Sequence, residues 1–164
     1  MKPIIFLAIL VTTIYLNSCA ILRPPTITKN EPIENYRYIY ISHTSSLTSS
    51  SGALYGGQYY SSSKSVNPSD VITGILTKEG FIRLPEIKPE LNDQTIIVNY
   101  GESGKRNIVG GLGGYTIGVT IQFISANSHT LICSCTAEGQ GATEADDIRK
   151  AITRCLSGLL PKMK

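Results

Sequence analysis

Chemistry in this 164-residue chain would have to be built from four cysteines, two histidines and one polar stretch, Gly101-Glu102-Ser103-Gly104-Lys105-Arg106. That stretch invites comparison with two catalytic loops. A phosphate-cradling loop places four residues between its glycines, then Lys and Ser or Thr, and opens a helix whose N-terminus faces the anion. Here two residues separate the glycines, Arg106 stands at the hydroxyl position, and Asn107-Ile108-Val109-Gly110 is no helix start. A nucleophile elbow needs Gly-x-Ser-x-Gly ahead of a helix, and Lys105 stands where the second glycine should be. Both readings fail on context, and a polar surface turn is expected.

The other candidates also favour structural roles. Gly110-Gly111-Leu112-Gly113-Gly114 reads as a hairpin connection. Gly139-Gln140-Gly141 precedes a helix whose first turn carries Glu144, Asp146 and Asp147. Those carboxylates complement the helix dipole and would repel a phosphate. Glu138, Glu144, Asp146 and Asp147 lack the alternating spacing of a calcium loop. His43 and His129 have no Cys or Ser partner at a recognisable spacing. The chain is therefore expected to be no enzyme and to carry no metal or cofactor.

Cys133 and Cys135 share one face of one strand, about 6.6 Å apart at the strand rise and near the limit for direct bridging. Cys155 lies on the inward face of the last helix. Buried free thiols are the first expectation, a bridge from Cys155 to either strand cysteine the second, and a metal site the third. Tyr55, Tyr59 and Tyr60 are candidate contacts to a partner or a glycan, since tyrosine joins an apolar ring to a polar tip.

The elements that must position these residues follow from periodicity. Tyr36–Ile41 is β-branched and aromatic and reads as a strand. Residues 42–65 hold ten serines and read as a long mobile excursion, with a hairpin on Gly56-Gly57 as a further option. Asn67-Pro68-Ser69-Asp70 opens a helix with Val71, Ile72, Ile75 and Leu76 on its buried stripe. Thr95–Tyr100 is the second strand and 101–114 a turn-rich connection. In Tyr115–Ile124, residues Ile117, Val119, Ile121 and Phe123 alternate onto one face. In Thr130–Glu138, Leu131, Cys133, Cys135 and Ala137 do the same. Thr143-Glu144-Ala145-Asp146 caps a final helix burying Ile148, Ile152, Cys155 and Leu159. The order β-α-β-β-β-α predicts an α+β fold: a two-layer sandwich whose mainly antiparallel sheet carries both helices on one face.

Length and composition bound the rest. The chain suits one domain, its 41% hydrophobic content excludes wholesale disorder, and a net charge of +3 with no basic run argues against nucleic acid. Met1-Lys2-Pro3 is followed by an apolar run from Ile4 to Leu16, too short for a bilayer span and right for a secretory leader.

Leu16-Asn17-Ser18-Cys19 resembles a bacterial lipobox, with Asn17 at a position where Ala, Ser or Thr is usual. The resemblance implies cleavage before Cys19, a diacylglyceryl thioether on its sulfur and an acyl group, such as palmitate, on its amine. Several acyl chains anchor stably where one would not. Ala20 rather than Asp follows the cysteine, which favours the outer membrane of a Gram-negative envelope. The expected organisation is a lipoprotein signal peptide over 1–18, a lipidated Cys19 with a Pro-rich tether over 19–35, and a single domain over 36–164. At the polyproline rise, that tether would hold the domain on the order of 50 Å from the lipid. Lipobox, tether and element order together are similar to small α+β envelope lipoproteins of Bacteroides-like bacteria. This likeness implies a binding or accessory module for another envelope protein, or else for a glycan or peptidoglycan.

Overall fold

A computed structural model of the chain describes residues 22–108 and 114–160, except the side chains of residues 53–55, 59 and 60. The strands are β1 (Thr26–Lys29), β2 (Tyr38–Ile41), β3 (Leu47–Tyr55), β4 (Gln58–Val66), β5 (Ile82–Arg83), β6 (Thr95–Asn107), β7 (Tyr115–Ser125) and β8 (Leu131–Gly139). The helices are α1 (Pro68–Lys78) and α2 (Glu144–Leu159), with short 3-10 turns at Ile33–Asn35 and Pro89–Gln94.

Six strands form one sheet in the order β1-β8-β7-β6-β2-β5, and β3 pairs with β4 in a separate ribbon. β6, β7, β8 and β1 are antiparallel neighbours. β2 runs parallel to both β6 and β5. Parallel pairing needs a long crossover, and the ribbon plus α1 supplies it between β2 and β5.

The alternation read in β7 sets the core. Ile117, Val119, Ile121 and Phe123 are at most 1% exposed and share one cluster with Ile39, Ile96 and Val98. Ile72 and Leu76 of α1, and Ile148, Ile152, Leu156 and Leu159 of α2, belong to that same cluster. Asn67 caps α1 as its side chain predicts, accepting the Ser69 N–H at 3.1 Å. Thr143 caps α2 by accepting the Asp146 N–H at 3.2 Å. In β8 the expected inward Leu131 is only half-buried and Ile132 is buried instead. The register shift between Phe123 and Ile124 inserts Ile132 as an extra residue, so Leu131 falls out of phase with Cys133.

Three further expectations are corrected. Residues 101–107 are no turn: β6 runs on to Asn107 by absorbing Ser103 in a bulge between Glu102 and Gly104. In the serine-rich segment the hairpin option holds in place of an irregular excursion: β3 and β4 pair as a ribbon turning at Gly56 and Gly57, whose φ angles of 59° and 79° suit glycine. The ribbon base is fastened to α2, because the Ala145 N–H donates to Ser49 Oγ at 2.9 Å and Lys64 pairs with Asp146 at 2.8 Å.

The third correction concerns the tether. From Arg23 onward the segment belongs to the domain, so the domain does not begin at residue 36. β1 pairs with β8 over Thr26–Lys29, and Ile33 is buried in the core cluster. The unpaired edge of β8 is what draws it in: an extended Pro-rich chain still offers backbone groups to a free strand edge. Lys29 and the flanking prolines then blunt the new outer edge.

Candidate functional site

The sheet has two faces, and buried residues of both helices cluster with the inward row of β7. On β7 the opposite row is Thr116, Gly118, Thr120, Gln122 and Ile124. In register beside it lie Thr136 and Ser134 of β8, Thr26 and Thr28 of β1, and Asn99 and Ile97 of β6. Tyr38 and Tyr40, half-buried, continue the face on β2. Hydroxyls dominate the β1 side, where Thr120 and Thr136 are hydrogen-bonded at 2.9 Å. Tyrosine and isoleucine dominate the β2 side.

Toward the β6–β7 hairpin this face opens into a cavity of about 350 Å³, lined by Arg23, Ser103, Lys105, Arg106, Thr136 and Glu138 among others. Arg106 donates to both Glu138 oxygens, at 2.9 and 2.6 Å, a bidentate pair. Glu138 also accepts the backbone N–H of Arg23 at 3.2 Å. The Arg106 guanidinium, helped by Arg23, holds the Glu138 carboxyl below the usual carboxylate range. Arg154 of α2 donates to the backbone carbonyls of Glu138 and of Arg23, the latter at 3.0 Å. One carboxylate, Glu138, and two guanidiniums, Arg106 and Arg154, thus tie β6, β8, α2 and the incoming chain together. Gly118 leaves room for the bulge, since a Cβ there would stand 2.5 Å from Ser103 Oγ.

At the rim, Lys105 Nζ lies 2.9 Å from Glu144 and 5.1 Å from the centroid of the Tyr115 ring. Tyr115 is 36% exposed. The Glu144 carboxylate and the tyrosine both favour the charged lysine, raising its pKa.

Behind the rim, Asp147 is 3% exposed and accepts the Gly141 N–H. Burial pushes its carboxyl up to about 6; the Gly141 bond and Lys150 oppose the shift, while Asp146 and Glu144 add to it. Between about pH 4 and 6 the folded chain therefore holds a proton that the unfolded chain has lost, so stability falls as pH rises through that window. Asp147→Asn keeps the acceptor and removes the buried charge. It is expected to stabilise the protein above about pH 6 by roughly 1–3 kcal/mol and to flatten the slope below that pH. Urea denaturation across the window measures both.

The cysteines divide. Cys135 and Cys155 form a disulfide with their Cα atoms 5.6 Å apart, which replaces the expectation of free thiols at these two positions. Cys133 is a free, fully buried thiol whose pKa burial pushes up to about 12. Cys19 lies outside the described residues. Tyr55, Tyr59 and Tyr60 lie beside the ribbon's turn, and their side chains also lie outside what is described. The structure does not bring His43 and His129 together: His43 lines a second cavity with Tyr100 and Glu102, and His129 sits in the β7–β8 turn. Among the described residues, no three His, Cys, Asp or Glu side chains gather as metal ligands.

The Arg23–Arg106–Glu138 joint is hidden in the sequence because the strand signal of β6 stops at Tyr100. One indirect signal exists. A well-alternating strand over 115–124 needs an antiparallel partner of similar length, and residues 95–100 leave half of it unpaired.

No family model and no curated protein matches this chain. Among solved structures it is similar to a single-substitution variant of the PelC dodecamer from Paraburkholderia phytofirmans, at 13% identity and a TM-score of 0.49, covering 82% of this chain and 97% of that one. A PelC dodecamer from the same organism in another crystal form matches at 13% identity and a TM-score of 0.41, covering 80% and 97%.

Proposed function

We propose that this chain is a lipid-anchored protein of the bacterial cell envelope, in the outer membrane, and that it presents a non-catalytic α+β domain for binding another envelope protein. The observation that carries the reading is the Leu16-Asn17-Ser18-Cys19 sequence ending a leader-like apolar run, with a packed domain starting only a few residues later. In this reading the domain is a two-layer sandwich, its helices on one face and the other face left to a partner. The Tyr38, Tyr40, Ile97 and Ile124 patch and the β3–β4 ribbon are the contact surfaces. A ribbon of two strands is marginal alone in water, and its outer edges suit pairing with a partner strand.

A second reading, a glycan- or peptidoglycan-binding module, is favoured by the uncharged hydroxyl row Thr26, Thr136 and Thr120. The tyrosines near the ribbon turn separate the two readings. If polysaccharide binding is lost in Tyr55→Ala, Tyr59→Ala and Tyr60→Ala with unfolding unchanged, the glycan module replaces the protein-binding one.

The anchor is tested by growing cells with an alkyne-tagged fatty acid. The wild-type chain is expected to take up the tag on its Cys19 peptide and Cys19→Ser to take up none. An untagged wild-type chain would overturn the anchor.

A further inference from the structure

We infer that one end of the domain, marked by Arg23, Lys105, Arg106 and Tyr115, docks on the anionic headgroup layer of the membrane that holds the anchor. The inference rests on lipidation of Cys19 as proposed above, and it begins from chain length. Four peptide steps separate Cys19 from Arg23, so their Cα atoms lie within about 14 Å of each other. Arg23 cannot drift from the domain to lengthen that leash. Its N–H donates to Glu138 and its carbonyl accepts from Arg154, and three residues later β1 is paired into the sheet. An acylated cysteine sits where the acyl chains meet the headgroups. One headgroup layer is about 5–7 Å thick, so much of that leash is spent crossing it. The chain therefore reaches Arg23 with little slack, and the strand ends beside Arg23 must lie at the lipid surface.

The chemistry of that end fits the location. Three cations, Arg23, Lys105 and Arg106, line the cavity there against two carboxylates, Glu138 in its wall and Glu144 at its rim, which leaves this end net positive by one charge. Arg23 is 72% exposed in its side chain. Tyr115 is exposed beside Lys105, and a tyrosine next to basic side chains is the combination enriched at membrane–water interfaces. Basic groups near an anionic leaflet are attracted within a Debye length. Lys29 and Lys78 lie toward the opposite end, where β1 and α1 finish.

The test is lysine footprinting of the full-length lipidated protein in vesicles of phosphatidylethanolamine and phosphatidylglycerol, using a water-soluble amine reagent that does not cross membranes. The comparison is a variant with a Gly/Ser linker of about 20 residues inserted after Ala20, which adds about 25 Å of mean reach. Lys105 is expected to react several-fold more slowly in the native chain than in the linker variant, while Lys29 and Lys78 react alike in both. An acylated, vesicle-bound chain whose Lys105 reacts equally with and without the linker overturns this inference alone. An N-terminal peptide without acyl mass on Cys19 overturns the anchor, and this inference with it.

Discussion

Gly139→Ala is expected to destabilise the domain by about 3 kcal/mol or more, the upper end of what overpacking costs. Gly139 ends β8 opposite Ile117 and lies directly against the backbone of α2. A Cβ there would collide with the backbone carbonyl of Asp147 and stand 2.6 Å from the amide nitrogen of Ala151. Backbone atoms cannot rotate away, so the whole helix would have to move. Moving α2 disturbs Ile148, Ile152 and Leu156, all fully buried, and pulls on the Cys135–Cys155 bridge. Gly158→Ala, on α2 itself, is the control. Its Cβ would meet only the tip of the Ile27 side chain, at 2.7 Å, and Ile27 is 36% exposed and can turn aside. Urea unfolding of both variants reads the difference as a shift in midpoint. Equal losses at the two glycines would contradict the close helix–sheet contact.

Removing the disulfide is the second large effect. The bridge closes a loop of 20 residues, for which chain entropy gives about 3 kcal/mol. Cys135→Ala with Cys155→Ala is expected to lose that amount. Reductant should lower the wild-type midpoint equally and leave the double variant unmoved. Cys133 should stay silent throughout: a fully buried thiol with its pKa at about 12 offers almost no thiolate, so it should resist alkylation until the protein unfolds. Rapid alkylation of Cys133 in the native protein, or insensitivity of the wild type to reductant, would contradict the assigned pairing. The oxidising envelope compartment proposed above would allow such a bridge to persist.

These two predictions depend on features that are unequally legible in the sequence. The α2 face can be read residue by residue, because Ile148, Ile152, Cys155 and Leu159 keep a helical period and Thr143 supplies the cap. β7 can be read for the same reason at period two. The choice between Cys133 and Cys135 cannot: both face inward, and only the register of β8 under α2 decides which sulfur meets Cys155. β1 escapes because its short, polar Thr-Ile-Thr-Lys run has no apolar face to report it, and its strand state comes from the open edge of β8. The ribbon is obscured by composition, since serine on both faces gives no alternation, although the Gly56-Gly57 turn is visible. The joint at Glu138 combines both failures. Arg106 lies beyond a bulge and Arg23 on a segment with the composition of a tether, so neither can be placed beside Glu138 from the sequence.

The most direct test of the central reading, a lipid-anchored binding module serving another envelope protein, is crosslinking of the intact chain in living cells, followed by purification and mass spectrometry. Repeated recovery of one envelope protein is expected, lost when only the outer ribbon, residues 51–62, is replaced by a short glycine linker that keeps Leu47 and Val66 in the core and the Ser49 and Lys64 contacts to α2. Recovery of peptidoglycan or polysaccharide fragments with no protein partner would contradict it and put the glycan-binding module in its place.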